Sequence, residues 1–273
     1  MTTDRYAVIG NPVAHSKSPL IHAAFASATG QALTYERLPA PLGGFVAAAQ
    51  RFAADGGKGL NVTSPFKLEA FALAREKSGR AESAGACNTL AWRGDHWYGD
   101  NTDGAGLLRD LTHNLREVIA DREVLVLGAG GAARGILQPL LAQKPRRLVI
   151  ANRTHAKAAE LAVQFAADGS IVAIRTGALA GERFDVVINA TSIGPGTPVP
   201  SELWPSTLFA PGALAYDLVY ANQTTPFLRW AREQGAAKTA DGLGMLVEQA
   251  AESFVLWRGV RPDTAPVFAL MRS

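Results

Sequence analysis

The chain holds a single cysteine, Cys87, so no intramolecular disulfide can form and a cysteine-based zinc site has no ligand set. Cys87 is expected to be a small, half-buried filler. No uninterrupted apolar run is long enough to span a bilayer, and Met1-Thr2-Thr3-Asp4-Arg5 runs into strand-like Tyr6-Ala7-Val8-Ile9 without an apolar signal segment. Charge is sparse: 19% of residues are Asp, Glu, Lys or Arg and no block of five like-signed residues occurs, which argues against a disordered, solvating chain. A net charge of +3 suits an anionic ligand at most, and no basic stretch is interleaved with aromatics as in a nucleic-acid binder. These absences lead to the expectation of a cytoplasmic protein that binds neither membrane nor nucleic acid and holds no metal. Repeats and low-complexity tracts are absent too.

What is present is 48% hydrophobic content over 273 residues, enough for one large core or two smaller ones. Short apolar runs alternate with longer amphipathic stretches. Tyr6–Ile9, Leu33–Leu38, Gly59–Thr63, Val124–Leu127, Leu148–Ala151, Ile171–Ile174, Val186–Asn189 and Ala213–Asp217 read as strands. Pro19–Thr29, Gly104–Asn114, Ala132–Ala142, Ala156–Ala167 and Leu243–Trp257 read as helices. The alternation predicts an α/β fold with mostly parallel strands. Ser18-Pro19 and Ser64-Pro65 both read as an N-cap followed by a first-turn proline. Gly194–Pro200 reads as a surface connection. The helix Gly104–Asn114 and a second crossing near Asp241–Gly244 are expected to join two lobes.

Val124-Leu-Val-Leu127 leads into Gly128-Ala-Gly130-Gly131-Ala132-Ala133, a G-x-G-x-x-A pattern between a strand and a helix. Gly128 permits the tight turn, Gly130 lets the backbone approach a pyrophosphate, and Ala133 is small enough for close helix–strand packing. The next strand ends at Asn152-Arg153-Thr154, where NAD-binding domains place an acidic residue for the ribose 2′-hydroxyl. No carboxylate stands there, and Arg153 and Lys157 do, so a 2′-phosphate and NADP are favoured over NAD.

Four further polar clusters sit at strand ends or in loops: His15–Ser18, Asn61–Lys67, Gly85–Thr89 and Gly99–Gly104. Hydroxyls, amides, one lysine and one aspartate suit a small, hydroxyl-rich ligand carrying a carboxylate.

Together these segments resemble the shikimate dehydrogenase family. The matching pieces run in that family's order: Ile9–Pro19, Asn61–Lys67, Asn88–Leu90, Gly99–Gly104, Gly128–Arg134, Asn152–Thr154, Asn189–Ser192, Tyr216–Tyr220 and Asp241–Gln249. Ser64 and Cys87 depart from the aliphatic residues expected at their positions, without removing a functional group. The resemblance implies two lobes around a cleft. A substrate-binding α/β domain would span residues 1–103, completed by 243–273, and a Rossmann-type NADP-binding domain would span 104–242. It implies the reversible reduction of 3-dehydroshikimate to shikimate, by a monomer or homodimer. Lys67 and Asp103 would be the catalytic pair. Ser16 and Ser18 would bind the substrate carboxylate, while Asn61, Thr63, Asn88, Asp103 and Gln249 would hold its hydroxyls, with Tyr220 nearby. Gly128, Gly130, Gly131, Ala132, Ala133, Asn152, Arg153, Thr154, Lys157, Thr191, Leu218, Gly242 and Met245 would line the cofactor site. Rival readings are an NAD-linked quinate/shikimate dehydrogenase, which lacks support in the absent acidic residue, and a non-catalytic sensor, which the presence of both Lys67 and Asp103 disfavours.

Overall fold

The computed structural model describes residues 3–191, 193, 199 and 204–272. Apart from Ile193 and Val199, the connection expected at 194–200 and the nearby Ser192 lie outside the described residues. The chain divides into two compact units, Met1–Gly106 with Leu246–Ser273, and Leu107–Met245.

The first unit contains β1 (Asp4–Gly10), α1 (Ser18–Thr29), β2 (Leu33–Pro39), α2 (Phe45–Ala54), β3 (Gly57–Val62), α3 (Lys67–Leu73), β4 (Glu76–Lys77), α4 (Gly79–Ala84), β5 (Thr89–Trp92), β6 (Trp97–Asp100), the start of α5 (Asp103–Arg109), most of α9 (Leu243–Arg258), and α10 (Ala265–Arg272). Its six strands are ordered β2-β1-β3-β5-β6-β4. β2, β1 and β3 are parallel, whereas β5 runs antiparallel to both β3 and β6. Alternation along the strands sorts the core. Ala7, Ile9, Leu60 and Val62 face Phe45 and Phe52 of α2, Phe66 just before α3 and Ala70 of α3 on one side. On the other side Tyr6 stacks on Trp257 of α9, and Phe254 packs edge-on against Phe25 of α1.

The second unit contains the π-helical turn Asp110–Asn114 that continues α5, then β7 (Glu123–Leu127), α6 (Gly131–Ala142), β8 (Arg147–Asn152), α7 (His155–Gln164), β9 (Ile171–Arg175), β10 (Phe184–Asn189), β11 (Phe209–Asp217), α8 (Pro226–Glu233) and β12 (Lys238–Ala240). Its sheet is ordered β12-β11-β10-β7-β8-β9, and every pairing is parallel. Both faces are buried: Val124, Val126, Leu148 and Ile150 join α6 and α7, while Leu125, Leu127, Val149 and Ala151 join Phe227 and Trp230 of α8. Burial on two faces is why these strands read as unbroken apolar runs. The chain leaves β7 toward β8 and β9, then returns to β10 on the other side of β7. That is the doubly wound Rossmann order, with its topological switch point between β7 and β10.

The two serine–proline pairs do not cap helices as the sequence suggests. Lys17, not Ser18, is the N-cap of α1, and its carbonyl accepts from Leu20 and Ile21. Pro19 removes one donor from the first turn, and the Ser18 N–H is met by Ser16 Oγ at 3.3 Å, while the Ser18 hydroxyl bonds Ser16 and Tyr35 rather than the helix. Ser64-Pro65, joined by a cis bond, lies inside a turn closed by Phe66 N donating to Thr63 O at 3.1 Å, and α3 begins only at Lys67. Cys87 is fully buried rather than half-buried, because Gly99 leaves room for its sulfur: a Cβ on Gly99 would lie 2.5 Å from Sγ. Burial, helped by the carboxylate of Asp100, pushes the thiol up to about 12, so it is inert.

Candidate functional site

In the first unit the side chains expected to bind substrate form one hydrogen-bonded chain. Ser16 Oγ donates to Ser18 Oγ at 3.2 Å, and the Arg37 guanidinium holds the Ser16 carbonyl with Nε at 3.0 Å and a terminal nitrogen at 2.6 Å. The Ser18 hydroxyl bonds that of Tyr35, whose own proton goes to Asn61 Oδ1 at 2.7 Å. His22 adds a second contact to Asn61 Oδ1 at 3.2 Å, and since that oxygen only accepts, the imidazole proton is on Nε2. Asn61 Nδ2 donates to Thr89 Oγ1 and to Ser253 Oγ of α9, so its amide is fully used. Thr89 passes the chain to Asn88 Oδ1 at 2.9 Å.

Asn88 is the hub. It is 3% exposed, and the two protons of its Nδ2 go to Asp103 Oδ1 at 2.8 Å and Thr102 Oγ1 at 2.9 Å, with Gln249 Oε1 a longer contact at 3.3 Å. Its Oδ1 accepts the Thr102 N–H at 2.8 Å. Asp103 completes the line through Oδ2, which takes Lys67 Nζ.

Two elements bring this lysine and aspartate together. Lys67 opens α3, and its carbonyl is fixed by the Cys87 N–H at 3.0 Å. A cation at a helix start opposes the helix dipole, whereas Asp103 at the start of α5 suits it. Asp103 follows β6, whose last residue, Asp100, is gripped by Arg80 at 2.6 and 2.7 Å and by Ser78 at 2.5 Å. Lys67 remains partly open, with 19% of its side chain exposed against 8% for Asp103. The pair is therefore a partly exposed cation held on a buried, hydrogen-bonded carboxylate. Thr63 is half-buried just past β3 and carries no part of the chain, while Tyr220 belongs to the second unit, half-buried after β11.

The second unit gathers the expected cofactor residues along the C-terminal ends of its strands. Gly128 follows β7 with a left-handed φ of 106°, and a Cβ there would meet Ala190 O across the switch point at 2.9 Å. Among the described residues, nothing lies within 4 Å of where a Cβ on Gly130 or Gly131 would stand, and no side chain caps α6. Free first-turn N–H groups beside an uncrowded glycine pair make a fitting cradle for a pyrophosphate. Ala133 is fully buried against the sheet, with Ala132 half-buried beside it. Asn152 ends β8 and donates to Thr154 O at 2.9 Å, and Arg153 and Lys157 are exposed.

Thr191, Leu218, Gly242 and Met245 come together through the ends of β10 and β11. Thr191 donates to Asn189 Oδ1 at 2.6 Å, and Leu218 N to Asn189 O at 3.0 Å. Gly242 packs so closely that a Cβ would lie 2.2 Å from Leu218 O. Met245 N donates to Tyr216 Oη at 3.2 Å, and Tyr216 in turn donates to the buried Asp110 at 2.7 Å. Asp217 accepts from Asn189 at 2.9 Å and Thr225 at 2.6 Å, and its burial raises its carboxyl to about 6.

Three family models match this chain in sequence: the shikimate dehydrogenase substrate binding domain over residues 8–90, shikimate / quinate 5-dehydrogenase over 110–195, and the shikimate 5′-dehydrogenase C-terminal domain over 242–270. The chain belongs to the shikimate dehydrogenase family. A shikimate dehydrogenase (NADP+) of Aromatoleum aromaticum is 58% identical, covering 100% of this chain and 98% of that protein. Among solved structures, an Ael1 enzyme from Pseudomonas putida superposes with a TM-score of 0.91 at 49% identity, covering 99% of each chain. The shikimate 5-dehydrogenase of Thermus thermophilus, in complex with NADP(H) and shikimate, gives 0.83 at 32% identity, again covering 99% of each.

Within this family framework, the structure adds residues that the sequence did not single out. Tyr35, His22, Arg37 and Ser253 all join the polar chain of the first unit. Ser253 had a readable signal, lying one helical turn after Gln249 and donating to its carbonyl at 3.1 Å. Tyr35 and Arg37 had only their two-residue spacing on β2, and His22 reads as core.

Proposed function

We propose that the protein catalyses the reversible NADPH-dependent reduction of 3-dehydroshikimate to shikimate, a step toward chorismate and the aromatic amino acids. Residues 1–103 with 243–273 act as the substrate-binding part and 104–242 as the NADP-binding part. The observation that carries the reading is the Lys67–Asp103 pair set at one end of a saturated amide–hydroxyl chain that begins at Ser16 and Ser18. A ring with one carboxylate and several hydroxyls matches that sequence of donors. Ser16 and Ser18 take the carboxylate, with the Arg37 charge next to them. Thr63, Asn88, Asp103 and Gln249 hold the hydroxyls, and Asn61 exchanges one present partner for a substrate hydroxyl. Tyr220 is assigned to the substrate on resemblance alone.

The glycine turn, Asn152, Arg153, Thr154 and Lys157 would hold the cofactor, which as NADPH would supply the hydride for reduction and leave as NADP+. Lys67 Nζ carries the proton that the carbonyl oxygen needs and donates to that oxygen as its negative charge grows. Asp103 keeps the ammonium in place, and Asn88 fixes the carboxylate before substrate arrives. The protein works in the cytoplasm as a monomer or homodimer. The test is steady-state kinetics at the nicotinamide absorbance band, crossing shikimate and quinate with NADP and NAD. Shikimate with NADP is expected to be preferred, and Lys67→Ala to lower kcat by about 10²–10⁴-fold with little change in KM. Near-normal turnover in Lys67→Ala would overturn the assignment.

A further inference from the structure

Arg175 ends β9, with its Cα in register with Asn152 at the end of β8. Side chains alternate along a strand, and registered residues of adjacent parallel strands share a face. The neighbours identify that face: Leu148 and Ile150 of β8, with Ile171 and Ala173 of β9, pack into the core under α6 and α7. Arg175 therefore leaves the sheet on the α7 side, about one strand spacing, ~4.8 Å, from Asn152. The start of α7 reaches the same place, because His155 Nε2 lies 3.4 Å from Ala173 O. Arg153 and Lys157 flank that start and so gather near Arg175. All three are exposed, and among the described residues no carboxylate pairs with any of them. Three like charges without a counter-ion repel one another, and a doubly charged anion relieves that repulsion.

We infer that Arg175 is a third cation of the 2′-phosphate site and helps select NADP over NAD. The inference rests on the NADP reading of this unit. Asn152 stands where an NAD site carries its acidic residue, so no negative charge opposes a phosphate there. A guanidinium beside the amide adds a charge-assisted, fork-shaped contact, and among the described residues Arg175 has no ion-pair partner to give up. Loss of this contact leaves the rest of the dinucleotide cradle intact, so its signature is selective.

The test is equilibrium binding of NADP, NAD and adenosine 2′,5′-bisphosphate to the full-length protein, followed by calorimetry, in Arg175→Gln, Arg175→Lys and Arg153→Ala. Arg175→Gln is expected to weaken NADP and the bisphosphate about 5–20-fold while NAD changes less than about twofold, with Arg175→Lys in between. Thermal melting checks folding, which an exposed position should leave unchanged. If Arg153→Ala loses NADP selectively and Arg175→Gln does not, the NADP site stands and Arg175 lies outside it. If neither variant changes NADP affinity, or both lose NADP and NAD equally, the 2′-phosphate site itself is misplaced and the inference falls with it.

Discussion

Asn88 spends both ends of its amide inside the protein, and that gives it two separable duties. Its Nδ2 steadies Asp103 and its Oδ1 satisfies the Thr102 N–H, so Asn88→Ala strips a buried carboxylate of one donor and orphans a backbone donor. A loss of roughly 1–3 kcal/mol in unfolding free energy is expected, with kcat falling more than KM because Asp103 loses its orientation. Asn88→Asp is expected to be worse near neutral pH, since it sets a second carboxylate against Asp103. Urea unfolding beside steady-state kinetics distinguishes these; an Asn88→Asp enzyme as active as wild type would show that the amide does not orient Asp103. Asn61 behaves differently. Its partners Tyr35, His22, Thr89 and Ser253 already saturate it, so its first role is to lock neighbours, and it reaches a ligand only by trading one of them.

At the scale of elements, the site depends on where β6 ends. Arg80 is clamped to Asp100 and also reaches Glu252 of α9 at 3.2 Å, which ties the β6 exit to a helix from the far end of the chain. Arg80→Ala leaves Asp100, only 5% exposed at its side chain, without its counter-charge. The expected cost is about 3–5 kcal/mol, together with lower kcat/KM, because Asn101, Thr102 and Asp103 follow directly. A shift in the urea midpoint worth under about 1 kcal/mol would show that Ser78 and backbone suffice to hold the turn. The same elements mark what the sequence reveals. The second sheet was legible because strands buried on both faces read as apolar runs, and the glycine turn names its own place between strand and helix. β5 and β6 were not, since each has four residues, of which one is a polar terminal residue that serves the site, Thr89 at the start of β5 or Asp100 at the end of β6. The site residues were legible as clusters, but not their pairing. Lys67 meets Asp103 only through the antiparallel β5–β6 register and the Arg80 clamp, neither of which leaves a local pattern. Ser18 misled because its hydroxyl bonds Tyr35 instead of the helix.

At the scale of the whole molecule, two buried groups answer acid in opposite ways. Burial drops His22 of the first unit to about 3, while in the unfolded chain it titrates near 6.5. Between these values unfolding takes up a proton, so falling pH destabilises the first unit, by at most about 1.4 kcal/mol per pH unit. Asp217 of the second unit has the opposite sense: its folded carboxyl titrates near 6 against 3.8 when unfolded, so between these values folding takes up the proton and falling pH stabilises. Hydrogen exchange at pH 7 and pH 5, corrected for intrinsic rates, should show amides of β1 and β3 losing protection while those of β10 and β11 hold or gain it. His22→Gln is expected to flatten the response of the first unit, and an unaltered slope would remove His22 from the account. There is also an order in time written into the chain. The amide of Asn61 and the hydroxyl of Thr89 both bond Ser253, which follows them by 192 and 164 residues. Synthesis runs from the N-terminus, so a ribosome must reach Ser253 before the polar floor under the first sheet can close. Until then that sheet lacks those protein partners, whereas the second unit needs nothing beyond Met245 and is complete in sequence before Ser253 is added.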